Sequence, residues 1–136
     1  MNKLGDLSCN EFLTELASAA PAPGGGGGAA MAGALAAALA SMVANLTVGK
    51  EKFADREPEV KELLEQAEAE RVRLLTLVDE DAAVFNSFMS CYKLPKTTDE
   101  EKAARTAAIR AAAKQAATVP LNIARSSFAV LKLADR

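Results

Sequence analysis

Apolar residues recur at three- and four-residue steps through most of this chain and nowhere keep the two-residue alternation of a half-buried strand. Ser8, with Glu11 three residues on, forms a capping box that opens a short helix over about 9–19, and Ala20-Pro21-Ala22-Pro23 breaks it. Five glycines, Gly24 to Gly28, follow as a turn, and an alanine-rich helix is expected from Ala29 to about Val48, with Gly49 as its C′ residue. Pro58 suits the first turn of a third helix reaching about Cys91, where Glu57, Glu59 and Glu62 sit beside the positive end of its dipole. Leu64, Ala67, Leu74, Val78, Phe85 and Phe88 form its expected buried stripe, spaced as in a bundle or coiled-coil seam. Leu94-Pro95 ends this helix, and Thr98 with Glu101 caps a fourth that reaches about Thr118. Pro120 either kinks that helix or starts a fifth. The fold class expected is all-α: a helical bundle with a buried Ala/Gly-rich central helix and a long heptad-like helix.

Composition supports this reading and narrows the chemistry. The 136 residues have the length of one domain. Thirty are alanine, six are aromatic and none is tryptophan, a balance suited to closely approaching helices rather than to a β-sandwich. Histidine is absent, which excludes His-based triads, HExxH zinc sites and His-ligated haem. Cys9 and Cys91 are too few for a disulfide framework and read as thiols of a reducing, cytoplasmic compartment. A net charge of −2 gives no bulk attraction to nucleic acid. No charge falls between Leu16 and Lys50, a stretch long enough to span a bilayer. Its Ala and Gly content, with Ser41, Asn45 and Thr47, argues instead for the buried centre of a bundle, with no membrane partner.

Two features carry candidate chemistry. Backbone N–H groups in Gly24 to Gly28, ahead of a helix, can approach an anion or developing oxyanion closely, although a flexible turn explains the same residues. Asp81 falls on the apolar stripe of the third helix, within about 60° of Leu74, Val78, Phe85 and Phe88, while Asp79 points about 160° away. A carboxylate there is costly to bury unless it is functional or ion-paired to a neighbouring helix. Asn45, Thr47 and Lys50 form a polar exit from the alanine-rich helix, and Lys50, Lys52, Lys93 and Lys96 are candidate contacts for an anionic ligand. Ten acids against four bases lie from Asp55 to Ala82, and seven bases against one acid from Lys102 to Arg136, so two of the helices attract each other or the basic one attracts a carboxylated ligand.

Several ordered motifs, Pro21-Ala22-Pro23-Gly24-Gly25-Gly26, Ala32-Gly33-Ala34-Leu35, Met42 to Lys50, Asp79 to Phe85, Tyr92 to Lys96 and Val119-Pro120-Leu121, resemble the cyclodeaminase/cyclohydrolase family of folate one-carbon enzymes. The resemblance runs from about Phe12 onward. It implies an all-helical homodimer, a tetrahydrofolate substrate altered at its N5/N10 one-carbon unit, and no metal or cofactor. On this reading Asp81 and Lys50 are catalytic, and Gly24, Gly25, Gly26, Asn45, Thr47 and Lys93 bind substrate. Two departures stand out: Gly27 occupies the place of a family serine, and the family domain continues for about another third beyond Arg136, so part of the pocket is expected to be missing. A non-catalytic helical assembly subunit is the alternative that these departures keep open.

Overall fold

A computed structural model describes residues 3–136. The fold has four helices, α1 (Cys9–Leu16), α2 (Gly24–Thr47), α3 (Glu57–Cys91) and α4 (Asp99–Ala134), with 3₁₀ turns at Leu4–Asp6 ahead of α1 and at Glu51–Arg56 between α2 and α3, and no strand occurs among the described residues. Both capping boxes form. The Ser8 hydroxyl accepts from the Glu11 N–H, the Glu11 carboxylate accepts from the Ser8 N–H at 2.9 Å, and Thr98 with Glu101 repeats the pattern at the start of α4. Gly49, at φ 75°, ends α2 in the left-handed conformation that glycine adopts without strain.

The three long helices run up, down and up. Gly26 faces Asp81 and Gly33 faces Leu74, so α2 and α3 are antiparallel; Tyr92 meets Arg105 and Gln66 meets Arg136, so α3 and α4 are too. Their shared core is built from Ala30, Ala34 and Ala37 of α2, Leu74, Leu77 and Val78 of α3, and Val119, Ile123 and Val130 of α4. At the closest approach Gly33 has no room for a side chain: a Cβ there would stand 2.9 Å from the Ser127 Oγ and 3.1 Å from a Leu74 methyl. This is the packing that an alanine- and glycine-rich helix permits.

Three helix boundaries and the burial of one residue differ from the sequence expectation. Helix α1 stops at Leu16 rather than near residue 19, and α2 starts at Gly24 rather than Ala29, so the five glycines are helical and not a turn. Their low helix propensity is overridden by tertiary context, and Gly26 and Gly28 stand against α3 and α1 where a larger residue would collide. Helix α4 continues through Pro120 to Ala134 as one helix. The proline faces solvent while Val119 and Ile123 on the core side hold the flanking turns in place. Phe85 leaves the expected core stripe and is 38% exposed.

Helix α2 is central but buried on one face only. Gly27, Ala30, Ala34, Ala37, Ser41 and Ala44 point inward. On the opposite face Leu35, Leu39, Met42, Val43 and Leu46 are between 51% and 66% exposed, an open apolar stripe at three- and four-residue steps. By length and composition alone this helix also meets the criterion for a membrane span.

Candidate active site at the glycine-rich start of α2

Pro23, buried and following a cis Ala22-Pro23 bond, sets the start of α2, and Gly24 enters it at φ 59°. The Gly27 N–H closes the first helical turn on the Pro23 carbonyl at 3.1 Å. The N–H groups of Gly24, Gly25 and Gly26 precede that bond and are the orphan donors of a helix N-terminus. Each glycine here has a distinct environment. Gly24 and Gly25 face open space, Gly28 lies against the Leu16 side chain at 3.3 Å, and Gly27 packs on Pro23 and Val78.

Gly26 holds the key contact. The space its side chain would fill is taken by the carboxyl group of Asp81, whose Cγ is only 2.6 Å from the Cβ position. Asp81 thus reaches across from α3 into a slot opened by the missing side chain, beside the free amides of the first turn. Burial pushes its carboxyl above the usual aspartate range, and a hydrogen bond from the Gly27 backbone pulls the other way. None of the ion pairs formed by the described residues includes Asp81, so the alternative of a pair to a neighbouring helix is not what holds it. A half-buried carboxylate without an ion-pair partner among the described residues is suited to taking up and returning a proton.

Asp79 points elsewhere, as its angular position requires, and accepts a hydrogen bond from the Leu4 N–H at 2.6 Å. It anchors the 3₁₀ turn ahead of α1. Asp79→Ala is expected to lower unfolding stability by about 1.5 kcal/mol, read as a lower urea midpoint. Unchanged stability would show that the N-terminal turn is held by packing alone.

The other expected site residues are not gathered here. Asn45, Thr47 and Lys50 lie at the far end of α2, with Asn45 about 28 Å along the helix axis from Gly26 at the usual rise per residue. Asn45 and Lys50 are exposed, and the Thr47 hydroxyl donates to the Val43 carbonyl at 2.8 Å. Lys93 is exposed just past the end of α3, about 18 Å along its axis from Asp81. Within one chain, the structure therefore brings together Asp81 with Gly24, Gly25 and Gly26, and separates them from Lys50, Asn45, Thr47 and Lys93. Among the described residues no group of three His, Cys, Asp or Glu is arranged to hold a metal ion. A cleft of about 390 Å³ between Gln66, Glu70, Lys132 and Arg136 is far from Asp81 and contains none of these residues.

Two side chains along α3 beyond Asp81 and at its end carry no functional mark in the sequence. Phe85, one turn beyond Asp81, was assigned to the core because its spacing matches the stripe. Arg105 carried only the general signal of a basic α4, yet its guanidinium lies 5.5 Å from the centre of the Tyr92 ring.

A glycine-rich helix start crossed by a half-buried aspartate that has no ion-pair partner among the described residues defines a helical protein whose candidate site offers a carboxylate and backbone amides. The formiminotransferase-cyclodeaminase family profile matches residues 8–136, and the chain belongs to that family. It is 48% identical over 131 residues to methenyltetrahydrofolate cyclohydrolase of Methylorubrum extorquens, a match covering 96% of this chain and 63% of that protein. To formimidoyltransferase-cyclodeaminase of Rattus norvegicus it is 40% identical over 121 residues, covering 89% of this chain and 22% of the relative. The chain thus spans less than two thirds of the length of either relative. The crystal structure of formiminotetrahydrofolate cyclodeaminase from Thermotoga maritima matches with a TM-score of 0.64 at 29% identity, over 96% of this chain and 76% of that one.

Proposed function

We propose that this chain acts on the one-carbon unit carried between N5 and N10 of tetrahydrofolate, as a methenyltetrahydrofolate cyclohydrolase. The observation that carries the proposal is the Asp81 carboxyl group lodged over Gly26 at the start of α2, and the 48% identity to the Methylorubrum cyclohydrolase supports it. In the reaction, the oxygen of water bonds to the cationic methenyl carbon while Asp81 accepts one water proton. The carbon–N5 bond of the resulting tetrahedral carbon then breaks, N5 keeps the electron pair, and Asp81 returns its proton there. Loss of the hydroxyl proton to solvent leaves 10-formyltetrahydrofolate.

Charge complementarity follows from the geometry. The positive end of the α2 dipole alone would repel a cationic ring, and the Asp81 carboxylate offsets it. The free glycine amides then face the oxygen that develops on the former methenyl carbon. No metal or cofactor is needed for these steps. Ring closure of 5-formiminotetrahydrofolate with loss of ammonia passes through the same kind of tetrahedral carbon, and the match to the Thermotoga cyclodeaminase favours it as the second reading. Cytoplasmic residence accords with the two free cysteines.

A homodimer completes the proposal. The open apolar stripe of α2 is a surface on which a second copy fits, and antiparallel packing centred near Leu39 would set Lys50 of one copy beside the glycine turn of the other. No membrane or nucleic acid is part of this assembly.

The test is direct. Incubation with 5,10-methenyltetrahydrofolate should remove its ultraviolet absorbance faster than the uncatalysed rate. Ammonia release from 5-formiminotetrahydrofolate instead would select the cyclodeaminase. Neither activity, in this chain or in one extended at its C-terminus, would leave the non-catalytic assembly subunit.

A further inference from the structure

We propose that the end of α3 beyond Asp81, together with Arg105 of α4, is the track that binds the aminobenzoyl-glutamate portion of the substrate, with Arg105 reading the glutamate carboxylate. This rests on the folate reading of the Asp81 site and adds to it the residues that recognise the rest of the molecule.

The register of the helices creates the track. Gly26 stands opposite Asp81 and α2 begins only two residues earlier, so the last turns of α3 run on past the end of α2 for about 12 Å. On the uncovered length, Phe85, Phe88 and Tyr92 share the face that carries Asp81: at about 100° per residue they fall within about 40° of it. Phe85 is 38% and Tyr92 46% exposed. Phe88 and Tyr92 meet edge to face, with ring centres 5.3 Å apart and planes at 85°, so their orientations are fixed by each other. A flat benzoyl ring bound next to Asp81 would lie on aromatic side chains rather than on the small residues found elsewhere along the bundle.

A cation closes the far end. The Arg105 guanidinium packs over Tyr92 at 5.5 Å and donates to the Tyr92 carbonyl at 3.3 Å. Its Nε is buried with no acceptor, and no ion pair among the described residues involves it. The nearby acids are engaged: Glu101 accepts from the Thr97 and Thr98 N–H groups, and Asp99 pairs with Lys102. Arg105 is left half-buried, oriented by an aromatic ring and without a carboxylate, with exposed Lys93 on the adjoining turn. That is an arginine arranged for a carboxylate from outside the chain.

The lengths agree. From Asp81 to Tyr92 is about 16 Å along the axis. An aminobenzoyl group followed by one glutamate extends roughly 12 Å at ordinary bond lengths, and the arms of Arg105 and Lys93 cover the remainder.

The experiment compares two ligands by calorimetry on the 136-residue chain: 5-formyltetrahydrofolate, and the amide of 5-formyltetrahydropteroic acid, which keeps the rings and lacks the glutamate. The chain should bind the glutamyl ligand about tenfold more tightly, and high salt should reduce that ratio. Arg105→Gln should bring the ratio close to one while leaving affinity for the amide unchanged. Arg105→Lys should give an intermediate ratio, and Lys93→Gln a smaller loss, with circular dichroism confirming that each variant is folded. A ratio near one in the unaltered chain, or an Arg105→Gln variant that weakens both ligands equally, overturns the track while the folate reading stands. Binding of neither ligand overturns both.

Discussion

Asp81→Asn is expected to reduce turnover of 5,10-methenyltetrahydrofolate by about 10²- to 10⁴-fold, the range over which a positioned proton-transfer group contributes. The amide keeps the shape of the carboxyl group in the Gly26 slot and cannot accept the proton of the attacking water. Stability should move the other way. The carboxyl is pushed above the usual aspartate range because burial disfavours its charge, so the unfolded chain ionises first and the folded chain holds the proton to higher pH. Ionised Asp81 therefore weakens the fold at neutral pH, and the weakening disappears as pH falls through the raised value. Removing the charge should raise the melting temperature at pH 7, with the difference from the unaltered chain vanishing in acid. Turnover of the unaltered chain should fall on the acid side with a midpoint above that of an ordinary aspartate. An Asp81→Asn variant that retained full turnover, measured by the absorbance assay, would remove Asp81 from the mechanism.

Gly26→Ala has the next largest expected effect, through geometry alone. Its methyl group would overlap the Asp81 carboxyl group, so either that side chain swings out or the first turn of α2 lifts from α3. A loss of about 1–3 kcal/mol in stability is expected from such overpacking, with turnover down roughly tenfold to a hundredfold on misplacement of the reacting group. Gly25→Ala is the matched control. Its Cβ meets nothing within 4 Å, and the gain in helix propensity should stabilise the chain by up to about 1 kcal/mol. Equal kinetic parameters for Gly26→Ala and the unaltered chain would show that the slot does not position Asp81.

Features that depend on neighbours along the chain are legible from residue order alone. Ser8 with Glu11, Thr98 with Glu101, and Gly49 mark helix ends through hydrogen bonds and dihedral angles confined to a few residues, and each lies where it was expected. The all-helical class follows from the three- and four-residue spacing, family membership from ordered motifs, and the opposite directions of Asp79 and Asp81 from helical geometry. Features that depend on the register between helices emerge only once the helices are packed. Glycine propensity alone argues for a turn at Gly24 to Gly28, yet these residues are helical, with Asp81, Val78 and Leu16 standing close against Gly26, Gly27 and Gly28. Spacing alone puts Phe85 in the core; it is exposed because α2 starts too late to cover it. No local pattern could tell that Lys50 and Asn45 lie far from Asp81 within one chain, since that distance is the length of α2. Nor could one tell that Asp81 forms no ion pair among the described residues. Hydrogen-bonded caps are short-range and written in sequence order, whereas burial, exposure and the environment of a charge are set by which helix faces which.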